Sequence, residues 1–250
     1  MEVKDQLPPP YSTAARRWWS KETVAVVTGG NKGIGFAVAK KLAEKGLTVV
    51  LTARDVGRGK QAVETLRCRF GLHNVSFLQL DVSDPCSVEA FASRFRQDFG
   101  LLDILVNNAA VSFNEIHSNS VKHAETALTE EQIEEEVVRK FLTEVKEGTW
   151  EGTGWPAHWT DYAVSKLALN AYSRVLARRL RGAEGKLIIS VNCFCPGFTQ
   201  TSMTGGRGTH SAGDAAEHAV ALALLPPDLL TTGKFYVGFA AAASAVDSKM

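Results

Sequence analysis

The chain has 250 residues and a formal net charge of +1, with a hydrophobic fraction of 45% and a charged fraction of 22%. That length fits one α/β domain. The small net charge argues against a nucleic-acid-binding protein that works by bulk electrostatics. No apolar run approaches the roughly 20 residues that a membrane-spanning helix needs, and residues 1–5 are too polar for a signal or transit peptide. We therefore expect a globular protein whose partner is neither a nucleic acid nor a membrane.

The four cysteines lack CxxC and zinc-type spacing, so no metal site is expected. We interpret them as reduced packing residues, which is typical of a cytoplasmic protein. Two short terminal segments leave alternatives open. The motif from Pro8 to Tyr11, Pro-Pro-Pro-Tyr, fits a ligand of proline-binding domains. The C-terminal motif from Ser248 to Met250, Ser-Lys-Met, is a near variant of the Ser-Lys-Leu peroxisomal signal.

Residues 1–22 are polar and rich in proline, and we predict a flexible N-terminal extension ahead of a single domain at residues 23–250. From residue 23, short β-branched apolar runs alternate with amphipathic helical patterns. The predicted strands lie at 23–27, 48–52, 75–80 and 103–106, and the predicted helices at 33–45, 58–70 and 85–99. This alternation indicates an α/β protein with a doubly wound parallel sheet and helices on both faces, in three layers.

The alternation stops after Asn108. Residues 113–160 contain no β-branched apolar run, but they contain a helix that starts with the capping-box pattern of Thr129 and Gln132. Apolar residues at every fourth position are predicted to share one face of that helix: Ile133, Val137, Phe141 and Val145. A tryptophan-rich loop follows, and then a helix at 161–181, a strand at 187–191, a helix at 210–223 and a strand at 234–237.

A glycine-rich turn, Thr28-Gly29-Gly30-Asn31-Lys32-Gly33-Ile34-Gly35, lies between the first predicted strand and the first predicted helix. Glycines there let the backbone turn tightly and approach a pyrophosphate, and the helix N-terminus adds free N–H groups and the positive end of its dipole. A P-loop is excluded because no Gly-Lys-Ser/Thr triplet follows. The turn therefore predicts a dinucleotide-binding site.

The end of the second predicted strand indicates which dinucleotide binds. NAD enzymes place an acidic residue there for the ribose 2′-hydroxyl, whereas this chain has Arg54. The guanidinium of Arg54 suits a 2′-phosphate, and Lys32 adds a second positive charge. We expect Asp55 to point away. These charges favour NADP(H) over NAD(H), and a solvated Arg54 without a ligand is the alternative.

The order of several motifs resembles that of the short-chain dehydrogenase/reductases over residues 23–237. The motifs are the glycine turn, Asp81-Val82, Asn107-Asn108-Ala109-Ala110, Tyr162-Ala163-Val164-Ser165-Lys166 and Pro196-Gly197. The glycine turn and the tryptophan-rich stretch before Tyr162 resemble the carbonyl reductase branch, particularly plant neomenthol-dehydrogenase-like and salutaridine-reductase-like enzymes. The resemblance implies a Rossmann fold, a monomer, and reversible NADPH-dependent reduction of a ketone to an alcohol.

Tyr162 and Lys166 are four residues apart and therefore share one face of the predicted helix. A nearby ammonium is expected to favour the phenolate and to lower the pKa of the tyrosine. Such a phenol can donate a proton to a carbonyl oxygen as hydride arrives. The resemblance implies that these two residues are catalytic and that Lys166 also holds the nicotinamide ribose.

By the same resemblance, further residues would line the cofactor site. They belong to the glycine turn, the ends of three strands and the segment after the last buried strand: Gly29, Asn31, Lys32, Gly33, Ile34, Gly35, Arg54, Asp81, Val82, Asn108, Ala109, Ala110, Pro196, Gly197, Thr199 and Thr201.

The family's catalytic serine, which ends a fifth strand and polarises the carbonyl, cannot be located in the sequence. Ser112, Ser118 and Ser120 follow the fourth predicted strand too closely, since a crossover to the next parallel strand takes about a dozen residues or more. Ser165 belongs to the tyrosine–lysine motif. We therefore predict that one central helix–strand unit is absent near residues 127–129.

Three functions remain open at this point. The first is NADPH-dependent reduction of a ketone, for which the tryptophan-rich loop favours a small apolar ketone or alcohol as substrate. The second is an NADP-binding protein that is catalytically impaired or inactive because the serine strand is missing. The third is an interaction protein that uses the proline motif at its N-terminus.

Overall fold

The computed structural model describes residues 17–110, 129–155, 160–180, 189–226, 229 and 231–238. These residues form two compact units. The sheet unit comprises the described residues of segments 7–111 and 196–227, and the helical unit comprises those of segments 112–195 and 228–250.

Four parallel strands form the centre of the sheet unit, in the order β3-β2-β1-β4. They are β1 Val24–Val27, β2 Thr48–Ala53, β3 Val75–Gln79 and β4 Ile104–Val106. Every residue of β1 is buried, and so is every residue of β2 except the first. Such burial is expected of central strands that are covered on both faces. The predicted parallel sheet with flanking helices is thus confirmed.

Three helices connect these strands: α1 Gly33–Glu44, α2 Val56–Phe70 and α3 Pro85–Phe99. Local sequence signals set where they start. The Asp55 carboxylate accepts a hydrogen bond from the Arg58 N–H at 2.8 Å and caps α2. Asp84 caps α3 in the same way, with Pro85 at the first helical position.

The core of the sheet unit lies between the sheet and α1, α2 and α7, the last of which spans Ala212–Ala223. Residues 17–22, which the sequence assigns to the extension, contact this core. The indole N–H of Trp18 donates to the Leu224 carbonyl at 3.2 Å, and that of Trp19 donates to the Lys45 carbonyl at 3.3 Å. Two short strands, β6 Thr199–Gln200 and β7 His210–Ser211, and a 3-10 turn at Ser202–Thr204 also belong to this unit.

The helical unit contains α4 Glu130–Gln132, a π-helical run Ile133–Arg139, α5 Lys140–Glu147 and α6 Thr160–Arg179. The predicted capping box is present: the Thr129 hydroxyl accepts from the Gln132 N–H, and the Gln132 side chain accepts from the Thr129 N–H. Two small clusters bury part of the predicted face. Ile133 packs with residues of α6, and Val137 and Phe141 pack with Val164.

Val145, the last apolar residue of this series, is 45% exposed. The buried face therefore ends at Phe141.

The predicted strand at 187–191 is also corrected. Residues 187 and 188 lie outside the described residues, and residues 189–191 are not in a strand. The observed strand is β5 Cys193–Cys195, which pairs in parallel with β8 Phe235–Val237. The Val191 N–H donates to the Thr232 hydroxyl at 3.0 Å, so the strand ladder begins only at Cys193.

Candidate active site

The glycine turn connects β1 to α1 and packs against the segment that follows β4. Gly29 has a φ of +63°, and a Cβ there would lie 2.9 Å from the Ala109 Cα. A Cβ at Gly35 would lie 2.4 Å from the Asn108 Nδ2 and 2.7 Å from the Gly29 carbonyl oxygen. Contacts this close exclude any side chain at either position, so glycine is required there.

Asn108 and Ala109 are held on the turn by hydrogen bonds. The backbone N–H groups of both residues donate to the Thr28 hydroxyl, each at 2.9 Å. The Asn108 side-chain amide donates to the Thr28 carbonyl at 2.9 Å and to the Gly29 carbonyl at 3.3 Å. The structure thus brings together two of the sequence motifs, and Ala110 follows directly after them.

The N-terminus of α1 faces the remaining part of the turn. Lys32 is the N-cap residue of α1, and its side chain makes no capping hydrogen bond to the first N–H groups of the helix. Asn31 precedes Lys32 in the turn, and Ile34 lies in the first turn of the helix. These groups give the turn the donor N–H array and the dipole end that an anion requires.

The segment from Pro196 to Thr201 contributes one residue to this region of the sheet unit. A Cβ at Gly33 would lie 3.6 Å from the Thr201 Cγ2, so Thr201 is a neighbour of the glycine turn. The Thr199 hydroxyl is buried and donates to the carbonyl oxygens of Pro196 and Gly197 at 3.2 and 3.3 Å. Those bonds fix the shape of the segment that presents Thr201.

Arg54 follows β2 and is exposed. Its carbonyl accepts a hydrogen bond from the Gln79 amide at 3.0 Å, which joins the ends of β2 and β3. The Asp81 carboxylate accepts from the Ser83 hydroxyl and N–H; these bonds, with a smaller effect of nearby Arg54, lower the pKa of Asp81. Arg54 and Asp81 are therefore neighbours, and the adjacent Val82 is exposed.

Tyr162 and Lys166 lie on one face of α6, as their spacing predicts. The Lys166 Nζ is 5.4 Å from the centroid of the Tyr162 ring. The pKa expectation is corrected: burial, followed by the nearby Cys195, raises the pKa of Tyr162, and burial lowers the pKa of Lys166. Both groups are partly withdrawn from water, and desolvation disfavours the charged form of each. The phenol therefore remains protonated at neutral pH.

Glu144 is a residue of this region that the sequence did not single out. Its carboxylate accepts hydrogen bonds from the Trp155 indole N–H and from the Thr153 hydroxyl. The Trp155 ring also packs edge-on against Phe141, with ring centroids 5.3 Å apart. Glu144 and Phe141 thus anchor the tryptophan-bearing loop to α5. The sequence offered one indication of this role for Glu144, which is its position as an acidic residue on the helix before the tryptophan-rich loop.

The serine of the family remains unlocated. Among the described residues, β4 pairs with β1 alone, so no fifth strand follows it in the sheet. Ser112, Ser118 and Ser120 lie outside the described residues. The Ser165 hydroxyl donates to the Tyr162 carbonyl at 2.7 Å, within the helix backbone. In the part of the chain that the structure describes, no cluster of acidic, histidine or cysteine side chains could hold a metal ion.

A profile of the short chain dehydrogenase family matches residues 23–142 and 151–212. The chain belongs to this family. Its matched residues include the glycine turn, Asn108 and the tyrosine–lysine motif, so the resemblance expected from the motifs is confirmed. None of the described helices is long and apolar enough to cross a membrane.

The chain is similar in sequence to three characterised relatives. It is 33% identical to salutaridine reductase of Papaver somniferum, over 84% of this chain and 92% of that protein. It is 32% identical to (+)-neomenthol dehydrogenase of Arabidopsis thaliana, over 85% and 95%, and 33% identical to carbonyl reductase [NADPH] 1 of Rattus norvegicus, over 83% and 93%. The solved structure of the Papaver somniferum salutaridine reductase superimposes with a TM-score of 0.73 and covers 86% of this chain and 99% of that one.

The lengths of these matches differ from the length of this chain. The alignment with salutaridine reductase is 295 residues long, which is more than the 250 residues of this chain. It includes only 84% of the chain, so the remaining alignment positions are gaps in this chain. The match to carbonyl reductase extends over 262 residues and takes up 83%. These relatives therefore contain residues that have no counterpart here.

Proposed function

We propose that the chain binds NADP(H) and catalyses the reversible reduction of a ketone to an alcohol, with Tyr162 as the proton donor and Lys166 as its partner. The observation that carries the proposal is the glycine turn, where side chains at Gly29 and Gly35 are excluded by Ala109 and Asn108. Membership of an oxidoreductase family whose relatives include a carbonyl reductase [NADPH] agrees with it.

The residues of the turn fit a dinucleotide. The absence of side chains at Gly29 and Gly35 lets the turn pack closely on Ala109 and Asn108, and the N-terminus of α1 would offer N–H donors to the oxygens of a pyrophosphate. Arg54 and Lys32 would bind the 2′-phosphate through charge-assisted hydrogen bonds. Asp81 and Val82 would border the adenine. The nicotinamide end would be bordered by the following residues: Asn108, Ala109, Ala110, Pro196, Gly197, Thr199 and Thr201.

NADPH, when bound, would supply the hydride for the carbonyl carbon. Tyr162 holds the proton that the carbonyl oxygen needs, because burial raises its pKa and keeps the hydroxyl protonated at neutral pH. Lys166 would donate hydrogen bonds to the nicotinamide ribose and place a positive charge beside the phenolate that forms after proton transfer. In the reverse direction the same oxygen would accept a proton from an alcohol.

The substrate that we propose is a small apolar ketone or the corresponding alcohol. The loop anchored by Glu144 carries Trp155, whose ring contacts Phe141 and thus adds an aromatic surface to the unit that contains Tyr162. Aromatic surfaces of this kind suit apolar ligands. The curated relatives named salutaridine reductase and neomenthol dehydrogenase support this class of substrate.

We also propose that one helix–strand unit of the family is absent between residues 127 and 129, and with it the catalytic serine. The excess length of the relatives and the end of the described sheet at β4 support this. Loss of one well-placed hydrogen-bond donor to a developing oxyanion commonly lowers the rate about 10²- to 10³-fold. We therefore expect turnover that is slow relative to complete family members.

The test is a fluorescence titration of the purified chain with NADPH, with NADH as the control, followed by single-turnover reduction of a panel of apolar ketones. We expect NADPH to bind more tightly than NADH and ketone reduction to be slow but measurable. Tight NADPH binding without any hydride transfer would favour the alternative of an NADP-binding protein that is not a catalyst. Failure to bind either cofactor would overturn the proposal.

A further inference from the structure

Glu144 lies on α5, at the point where the tryptophan-rich loop returns to this helix. Gly148 caps the end of α5, and the chain then turns back towards the Glu144 carboxylate. The Thr153 hydroxyl donates a hydrogen bond to its Oε2 at 2.8 Å, and the Trp155 indole N–H donates to the same oxygen. One carboxylate oxygen therefore holds the loop at two residues, which lie nine and eleven positions further along the chain.

The charge of Glu144 strengthens this attachment. Hydrogen bonds from Trp155 and then from Thr153 lower the pKa of Glu144, so the carboxylate is ionised at neutral pH. Hydrogen bonds to an ionised acceptor are stronger than those between neutral groups. The Lys140 ammonium lies 4.0 Å from the other oxygen, Oε1, and leaves Oε2 to the loop. The loop is therefore held on α5 by a single charged side chain that is only 15% exposed.

Trp155 is also part of the packing between α5 and α6, the helix that carries Tyr162. Its ring packs edge-on against Phe141, and it borders the cluster in which Phe141 and Val164 are buried together. Val164 is two residues after Tyr162, and two residues turn an α-helix by about 200°, so the two side chains leave opposite sides of α6. The packing that includes Trp155 therefore supports α6 from the side opposite to the phenol.

We propose that Glu144 is a positioning residue, which holds Trp155 in the packing against α6 and thereby fixes the turn of α6 that presents Tyr162 to the substrate. This inference rests on the proposed reductase function. Tyr162 lies in the first turn of α6, and helix ends fray unless they are held from outside. A displacement of a reacting group by about one ångström can lower a rate roughly 10²-fold. Loss of the Glu144 carboxylate should therefore slow proton transfer and leave NADPH binding at the glycine turn unchanged.

The first experiment compares Glu144→Ala with Glu144→Gln in the full chain, by single-turnover ketone reduction at saturating NADPH. Glu144→Ala should lower the rate about 5- to 50-fold, with an unchanged Kd for NADPH. Glu144→Gln should stay within about threefold of the wild-type rate, because its amide oxygen can still accept the indole N–H. The matched control is Glu147→Ala, which removes the same charge from an exposed position at the end of α5 and should keep the wild-type rate.

A double-mutant cycle tests whether Glu144 acts through Trp155. Trp155→Phe removes the indole N–H but keeps an aromatic ring beside Phe141, so it should slow the reaction about as much as Glu144→Ala. The double variant should then be no slower than the slower of the two single variants, because both remove the same interaction. Losses that multiply in the double variant would show that the two residues act separately, and this would overturn the proposal. If Glu144→Ala does not fold, Trp155→Phe carries the same measurements.

The ionisation of Tyr162 gives a readout that needs no turnover. Burial raises the pKa of this phenol, and the ultraviolet difference between each chain and its Tyr162→Phe counterpart reports the midpoint. A loosened first turn would expose the phenol to water, so Glu144→Ala should lower the midpoint, whereas Glu144→Gln and Glu147→Ala should keep that of the wild type. This shift in a chain that reduces no ketone would support the positioning role and contradict the proposed function. An unchanged midpoint with an unchanged rate in Glu144→Ala would overturn the positioning role.

Discussion

The sheet unit has a larger buried hydrophobic core than the helical unit. In the sheet unit, β1 and β2 are covered on both faces and belong to a core that extends through α1, α2 and α7. In the helical unit, the described core consists of two small clusters against α6, and the described strands are β5 and β8. The elements proposed to bind the nucleotide therefore belong to the unit with the larger core.

Tyr162 and Lys166, the proposed catalytic pair, lie in the unit with the smaller core. Tyr162 and Lys166 are neighbours because of the geometry of a single helix, which needs no neighbouring strand. A serine at the end of a strand depends on the strand and on its partners in the sheet. The loss of one strand would therefore remove the serine and leave the tyrosine–lysine pair intact.

The largest effect is expected in the sheet unit, from Gly35→Ala. The new Cβ would meet the Asn108 Nδ2 and the Gly29 carbonyl, so we expect NADPH binding to be lost and the free energy of unfolding to fall by about 1–3 kcal/mol. The control is Gly213→Ala in α7, where a Cβ would meet only the Ser211 Oγ at 3.4 Å. It should raise the free energy of unfolding by about 0.4–1 kcal/mol. Calorimetric binding and urea denaturation measure both, and wild-type NADPH affinity in Gly35→Ala would contradict the proposed site.

The next effect is expected in the helical unit, from Tyr162→Phe. Removal of the hydroxyl takes away the proton donor, and the single-turnover rate of ketone reduction should fall about 10²- to 10⁴-fold. The affinity for NADPH should stay within a few-fold of wild type because the glycine turn is untouched. Tyr172→Phe, on the same helix, is the matched control and should keep the wild-type rate. An unchanged rate in Tyr162→Phe would show that another group donates the proton.

A smaller effect is expected from Arg54→Ala at the end of β2. Loss of a charge-assisted contact to the 2′-phosphate should weaken NADPH binding roughly 10- to 100-fold and leave NADH binding nearly unchanged. Arg69→Ala, in the last turn of α2, is the control for general charge. If NADPH and NADH were weakened equally, Arg54 would not be the residue that distinguishes the two cofactors.

The smallest effect concerns the ionisation of Tyr162. Burial raises the pKa of this phenol, so below about pH 10 it is protonated in the folded and the unfolded chain and its ionisation does not affect stability. Above that pH the unfolded chain loses the proton first, and the free energy of unfolding should fall as the pH rises. The difference in ultraviolet absorbance between wild type and Tyr162→Phe should show a midpoint above pH 10. A midpoint below pH 10 would instead support the effect of the lysine that the sequence alone suggests.

Local features of this protein were predictable from its sequence. The bounds of α1 and α3, the capping box at Thr129 and the shared face of Tyr162 and Lys166 all follow from interactions between residues a few positions apart, whereas α2 begins at Val56, two residues before its predicted start. The glycine turn was recognisable because its flanking strand and helix are adjacent in the chain, and the motifs that identify the family are local in the same sense.

The tertiary structure decided the features that depend on distant partners. β5 begins at Cys193, whose N–H donates to the Lys234 carbonyl, and the preceding Val191 bonds to Thr232, about forty residues further along the chain. The pKa of Tyr162 is raised rather than lowered because burial removes water from the phenol, which no spacing reveals. Within the described residues β4 pairs only with β1, and Leu105 in its centre is 51% exposed, although its sequence is that of an interior strand. Sequence determines what a segment prefers locally; burial and strand pairing depend on which other segments are present to contact it.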